Sequence, residues 1–208
     1  MPKPLKPYSR PFPLVQAMES GNWEKAEAML RQMVRTSPPH PDMLMDFGRA
    51  LGETGQHDEA VKVLKRATKK APGNPQVAFQ TGLAAMKAKQ WKDARSAFSE
   101  ALKAAPGEPA ILLNLATVLM ELREPARAVE LFETAIAQPT LDADQRLYAR
   151  TLLIEAYRDS GDVDAMRREA ASLAADNPKS RGAILNLLTK GTKGKVPLAA
   201  AAMFPGSA

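Results

Sequence analysis

The chain has 208 residues, no cysteine, two histidines and a formal net charge of +6. That length suits one or two domains, and the missing cysteines exclude a disulfide scaffold, a cysteine metal site and thiol chemistry. His40 and His57 alone leave almost nothing for a histidine-rich metal site, and an alanine-rich sequence with 5% aromatic residues leans toward helix.

Residues 1–12 form a proline-rich N-terminal segment. Five prolines between positions 2 and 13 interrupt any apolar stretch of the kind that targets secretion. No apolar run approaches the roughly 18 residues of a membrane span, so a soluble, cytoplasmic protein without a membrane span is expected.

Beyond that segment the prolines mark a period. P-x-x-P pairs fall at Pro4/Pro7, Pro38/Pro41, Pro72/Pro75 and Pro106/Pro109, each 34 residues after the last, and Pro178 joins the series if four residues are inserted. The expected array covers residues 13–190, in units of about 7–40, 41–74, 75–108, 109–142 and 147–180 with a cap at 181–190. In the first unit Pro11 and Pro13 delay the first helix to about residue 13, and Trp23, Ala26 and Leu30 carry the second. In the next three, Pro41, Pro75 and Pro109 stand at first helical positions, where a missing N–H costs nothing. Asn74 is placed to cap the helix that Pro75 begins. The facing pairs Gly48/Ala60, Gly82/Ala94 and Ala116/Ala128 let two backbones approach, and Leu64, Phe98 and Phe132 fill the space beside them. In the fifth unit the insertion at Leu141–Asp144 allows an early helix start capped by Asp142, and Gly161 takes the turn. Arg181–Lys190 reads as a capping helix that hides the last apolar face. Residues 191–208, rich in Gly, Pro and small side chains, are expected to be a flexible tail. Gly191–Lys195 fails the phosphate-loop pattern, because Thr189 stands where its first Gly is needed and Val196 follows the Lys.

This 34-residue pattern, with small residues at positions 8, 20 and 27, resembles the tetratricopeptide repeat. The resemblance implies an all-α fold, a right-handed α-solenoid of helix-turn-helix repeats with a C-terminal capping helix. It also implies a concave groove lined by the first helix of each unit. Transferred position by position, the candidate peptide-binding groove residues are Met45, Arg49, Phe79, Leu83, Met86, Leu113, Asn114, Met120 and Tyr148. Phe79, Leu83, Met86, Leu113 and Met120 would form an apolar patch, and Met suits a surface that repacks around different partners. The competing reading is that neighbouring units or the tail bury some of them as core, Met86 and Leu113 above all. Heat-shock co-chaperones of the family grip two carboxylates of a peptide with a set of Lys, Asn and Arg residues. Here only Asn114 matches that set, so such a clamp is not expected.

The positive charge is uneven: both ends are basic, and the fourth and fifth units are acidic. Lys62, Lys65, Arg66, Lys69 and Lys70 share the second helix of unit 41–74, and a solvated face is the preferred reading. No stacking aromatics interleave with them, so nucleic-acid binding is not expected. Trp23 and Trp91 hold the turn position that packs helix pairs and are read as structural. His40 and His57 fall in turns and are read as exposed. No nucleophile–base pair or metal-ligand spacing can be assembled, so no enzyme activity and no cofactor are expected. The function that follows is a protein-interaction scaffold or adaptor holding a peptide or helix of a partner protein. Alternatives are an accessory subunit of a separate enzyme such as a transferase, a self-assembling scaffold, and an electrostatic binder of nucleic acid or membrane.

Overall fold

A computed structural model describes residues 8–36, 38–182 and 184. The described residues form ten α-helices and a short 3-10 turn at Pro178–Ser180, with no strand. The chain divides into two compact units, Met1–Pro106 and Gly107–Ala208.

The first unit holds α1 (Phe12–Glu19), α2 (Trp23–Thr36), α3 (Pro41–Glu53), α4 (His57–Lys70), α5 (Pro75–Lys87) and α6 (Trp91–Ala104). Each helix packs on the next, and α3 also packs on α5, so the first helices of successive repeats lie side by side. The capping chemistry explains where helices begin. Asn74 accepts the Gln76 and Val77 N–H groups at 3.0 and 3.2 Å. His40 caps α3 by accepting the Asp42 N–H on Nδ1 at 3.3 Å. Prolines at N1 then complete both starts.

The small residues are explained by what faces them. A Cβ on Gly82 would lie 2.5 Å from Cε1 of Phe98, and one on Gly48 would lie 2.4 Å from Cγ of Leu64. Phe98 is fully buried and Leu64 nearly so. Burying such a side chain contributes about 1.5–3 kcal/mol, and the glycine is what makes room for it. The turn inside each repeat needs a left-handed residue: Gly21 has φ +70° and Gly55 has φ +81°. Lys89 fills the same position in the third repeat at φ 55°, where a side chain is strained.

Helix α1 is five residues shorter than α3 or α5. Pro11 is its N-cap and Pro13 follows at N2, so it starts at Phe12, one residue before the expected start. The chain before it straps across α3 instead. Arg10 donates from Nε and Nη2 to the two oxygens of Asp46 at 2.6 and 2.8 Å, and Tyr8 donates its hydroxyl to the same carboxylate at 3.0 Å. Asp46 is only 3% exposed, so this pairing satisfies a carboxylate that would otherwise be buried alone. The Tyr8 ring stacks on His40 at 6.2 Å. His40 is therefore a half-buried part of the strap contact rather than an exposed turn residue.

The second unit holds α7 (Pro109–Glu121), α8 (Pro125–Ile136), α9 (Ala143–Ser160) and α10 (Val163–Asp176). Ala116, Ala128 and Phe132 are fully buried, repeating the small-small-large arrangement. Arg123 takes the left-handed turn at φ 61°. The inserted residues lengthen α9, and Asp142 caps it through a reciprocal box: its carboxylate accepts the Gln145 N–H at 2.8 Å, and Gln145 accepts the Asp142 N–H. Arg146 donates to the carbonyls of Ile136, Gln138 and Leu141, satisfying free groups at the end of α8 and in the connection to α9. Arg150 ties α9 to α10 through Glu169 at 2.5 Å, Asp176 at 2.6 Å and Ser172 at 2.9 Å. Ile184 is buried against Ile154, Leu173 and Ala174, on the apolar face that a cap must cover. Residues 183 and 185–190 of the expected cap, the tail at 191–208 and residues 1–7 of the proline-rich segment lie outside the described residues.

Candidate functional site

The nine candidate groove residues divide between the two units. Met45, Arg49, Phe79, Leu83 and Met86 belong to the first, and Leu113, Asn114, Met120 and Tyr148 to the second.

In the first unit a cleft of about 470 Å³ opens between the first helices α3 and α5. Gly48, Gly52 and Leu64 line it on one side and Leu83, Ala84 and Met86 on the other. Gly52 has no atom within 4 Å of where its Cβ would sit, so this glycine leaves open space rather than making room for a core side chain. The Glu53–Lys87 ion pair, at 3.2 Å, joins the two helices at one end. Arg49 stands exposed at the mouth, with its guanidinium carbon 5.0 Å from the centre of the Trp23 ring. Trp23 therefore supplies a stacking platform as well as heading α2. Arg49 also lines a second cleft of about 310 Å³ with Arg10, Val15, Met18, Glu19 and Trp23.

The sequence-derived residues play different parts here. Leu83, Met86 and Arg49 line the cleft. Met45 is half-buried on α3. Phe79 is half-buried too, its ring tilted 59° against Phe98 at 5.7 Å, so it shares its surface with the core. Gly52, Gln80, Glu53 and Lys87 also border this cleft. Gly52 and Glu53 lie one helical turn after Arg49, and Lys87 ends α5, so the same first-helix face carries them.

In the second unit Leu113 and Met120 are half-buried on α7, and Tyr148 on α9 is 60% exposed. Asn114 spends its amide on its own helix, donating to the Ala110 carbonyl at 2.7 Å. A third cleft, on α8, α9 and α10, is lined by Arg146, Arg150, Tyr157, Glu169 and Asp176. Its charges are mutually satisfied: Arg150 is paired twice, and the Tyr157 hydroxyl donates to Glu133. Burial and that carboxylate raise the Tyr157 pKa above its ordinary value.

On the opposite helices of the first unit the basic stripe is partly neutralised. Lys65 pairs with Asp93 at 2.7 Å. Arg31 holds Glu59 at 2.8 Å and Glu27 at 2.9 Å, and its hydrogen bond draws the Glu59 carboxyl below the ordinary range. His57 heads α4 half-buried, with Nδ1 enclosed and unpaired, so it too departs from the exposed turn residue expected. Among the described residues no group of three metal-binding side chains converges, and no helix is long and apolar enough to cross a membrane.

Residues 17–81 and 85–150, more than half of the chain, match a family model described as tetratricopeptide repeat. The chain belongs to the tetratricopeptide repeat family. No curated protein matches it in sequence. Solved structures of this repeat fold are similar in backbone. MamA matches with a TM-score of 0.71 at 16% identity, over 81% of this chain and 90% of that one. MamA from Desulfovibrio magneticus RS-1, residue 41 to the end, matches with a TM-score of 0.70 at 18% identity, over 78% and 89%. YrrB, described as a TPR protein with an unusual peptide-binding site, matches with a TM-score of 0.65 at 17% identity, over 84% and 88%. At these identities the likeness is one of fold. The tetratricopeptide assignment accounts for the 34-residue spacing of α3, α5 and α7 and for the packing of Gly48 and Gly82.

Proposed function

We propose that this tetratricopeptide repeat protein is a non-catalytic interaction scaffold that holds a peptide or helix of a partner protein on the first-helix face of its repeats. The observation that carries the reading is the open cleft between α3 and α5. Leu83 and Met86 give it apolar walls, Gly52 keeps it clear, and Arg49 stands at its mouth. A groove of this kind suits an amphipathic segment whose apolar side chains enter while its polar face stays wet. The helices that form it are packed on both flanks, so little ordering cost falls on the scaffold. YrrB, a protein of the same fold, carries a peptide-binding site, which supports the reading by analogy. In the second unit, Leu113 and Met120 on α7 and Tyr148 on α9 stand on first helices of their own.

The test is partner recovery by wild type and by Leu83→Glu, with circular dichroism to show that the variant is folded. Loss of the recovered partner is expected. A folded Leu83→Glu protein that recovers the same partner in the same amount refutes the groove. A partner that proves to be an enzyme or a second copy of the chain would identify the occupant without moving the site.

A further inference from the structure

We infer that Arg49 is the charged anchor of the cleft, and that its occupant is a protein segment presenting an acidic side chain within one helical turn of an apolar residue. This rests on the groove reading above and names the chemistry of what enters it.

The inference comes from where the neighbouring carboxylates are spent. On a helix, Arg49 can reach acids three residues before it and four residues after it. Both positions are acidic: Asp46 and Glu53. Asp46 is taken by Arg10, at 2.6 and 2.8 Å, and by Tyr8 at 3.0 Å. Glu53 is taken by Lys87 across the cleft, at 3.2 Å. Glu19 lines the smaller cleft with Arg49, but no ion pair joins them. Among the described residues Arg49 thus has no carboxylate partner, and its contact is the face of Trp23 at 5.0 Å.

An exposed arginine without a partner normally samples many rotamers. Contact with the face of an indole restrains where the guanidinium sits and leaves N–H groups free to bind a carboxylate. The apolar lining of Leu83 and Met86 belongs to the same cleft, so one segment can use both. This is not the co-chaperone clamp, whose set of residues is absent. Arg10 and Lys87 act as positioning residues, because each keeps an acid away from Arg49.

The probe is a displayed library of random 12-residue peptides, panned on the full chain as wild type, Arg49→Gln, Arg10→Ala and Leu83→Glu. Wild type should enrich peptides with Asp or Glu next to Leu, Met or Phe. Replacing that acid by its amide in a selected peptide should weaken binding about tenfold, the value of one charge-assisted pair. Arg49→Gln should bind both peptide forms alike. Arg10→Ala, which frees Asp46 to capture Arg49, should fall between the two. Apolar enrichment with no acidic preference, or a preference that survives Arg49→Gln, overturns the anchor and leaves the groove standing. No enrichment, or enrichment unaffected by Leu83→Glu, overturns the groove and the anchor with it.

Discussion

Gly82 and Gly52 both lie inside first helices, and the same substitution should have opposite effects on them. Alanine in place of glycine in a helix interior gains roughly 0.5–1 kcal/mol from propensity alone. At Gly52 nothing lies within 4 Å of the added methyl, so Gly52→Ala should show that gain. At Gly82 the methyl would meet Cε1, Cδ1 and Cζ of Phe98 at 2.5 to 2.7 Å. That ring is fully buried and packs against Phe79 at 5.7 Å, so moving it aside disturbs the core. Overpacking of this kind costs about 1–3 kcal/mol. Gly52 is next to last in α3, so its gain sits at the low end of that range, and Gly82→Ala should still end up less stable than Gly52→Ala by most of the overpacking cost. Both tryptophans, Trp23 and Trp91, lie in the first unit, so urea unfolding followed by tryptophan fluorescence reads the relevant transition. In a Phe98→Ala background the cost of Gly82→Ala should vanish, which isolates the contact. A Gly82→Ala protein as stable as Gly52→Ala would refute the helix register on which the repeat reading stands.

Three further outcomes follow from the strap and the turns. Arg10→Ala should cost about 1–2 kcal/mol, because the buried Asp46 carboxylate loses its bidentate partner and keeps only Tyr8 and a turn toward the exposed Arg49; equilibrium unfolding measures it. Lys89→Gly should stabilise by roughly 0.5–1 kcal/mol, because it removes the left-handed strain at φ 55°, whereas glycine substitution at an ordinary helix position should destabilise. Burial first, then the Asp46 carboxylate, holds the Tyr8 pKa above its ordinary value of 10.0. Its contribution to stability is full below that value and is lost as pH rises toward the folded one. Tyr8→Phe should accordingly lose less stability than wild type between about pH 9.5 and 11.

Much of the fold was legible because repeat packing is written locally. Prolines at N1, caps such as Asn74 and Asp142, and the Gly48, Gly82 and Ala116 positions each follow from contacts within one helix pair. The site was legible only as a face. The repeat frame put Arg49, Leu83 and Met86 on the first-helix face, and all three line the cleft; it favoured the groove for Phe79, whose ring also packs on the core at Phe98. It also read Trp23 as structural alone, since stacking by Arg49 depends on how α2 and α3 pack. The Arg10–Asp46 pair spans 36 residues and recurs in no other unit, so no periodicity could announce it. The boundary after Pro106 is equally silent, because the proline pairs keep their 34-residue spacing straight through it.

The most direct measurement of the groove claim is amide hydrogen exchange of the full chain, free and saturated with a peptide selected on it. Added protection is expected in α3 and α5, centred on Arg49–Glu53 and Leu83–Lys87, with α4 and α6 unchanged. Protection confined to α4 and α6, around Lys65 and Lys69, would place the partner on the opposite helices and contradict it.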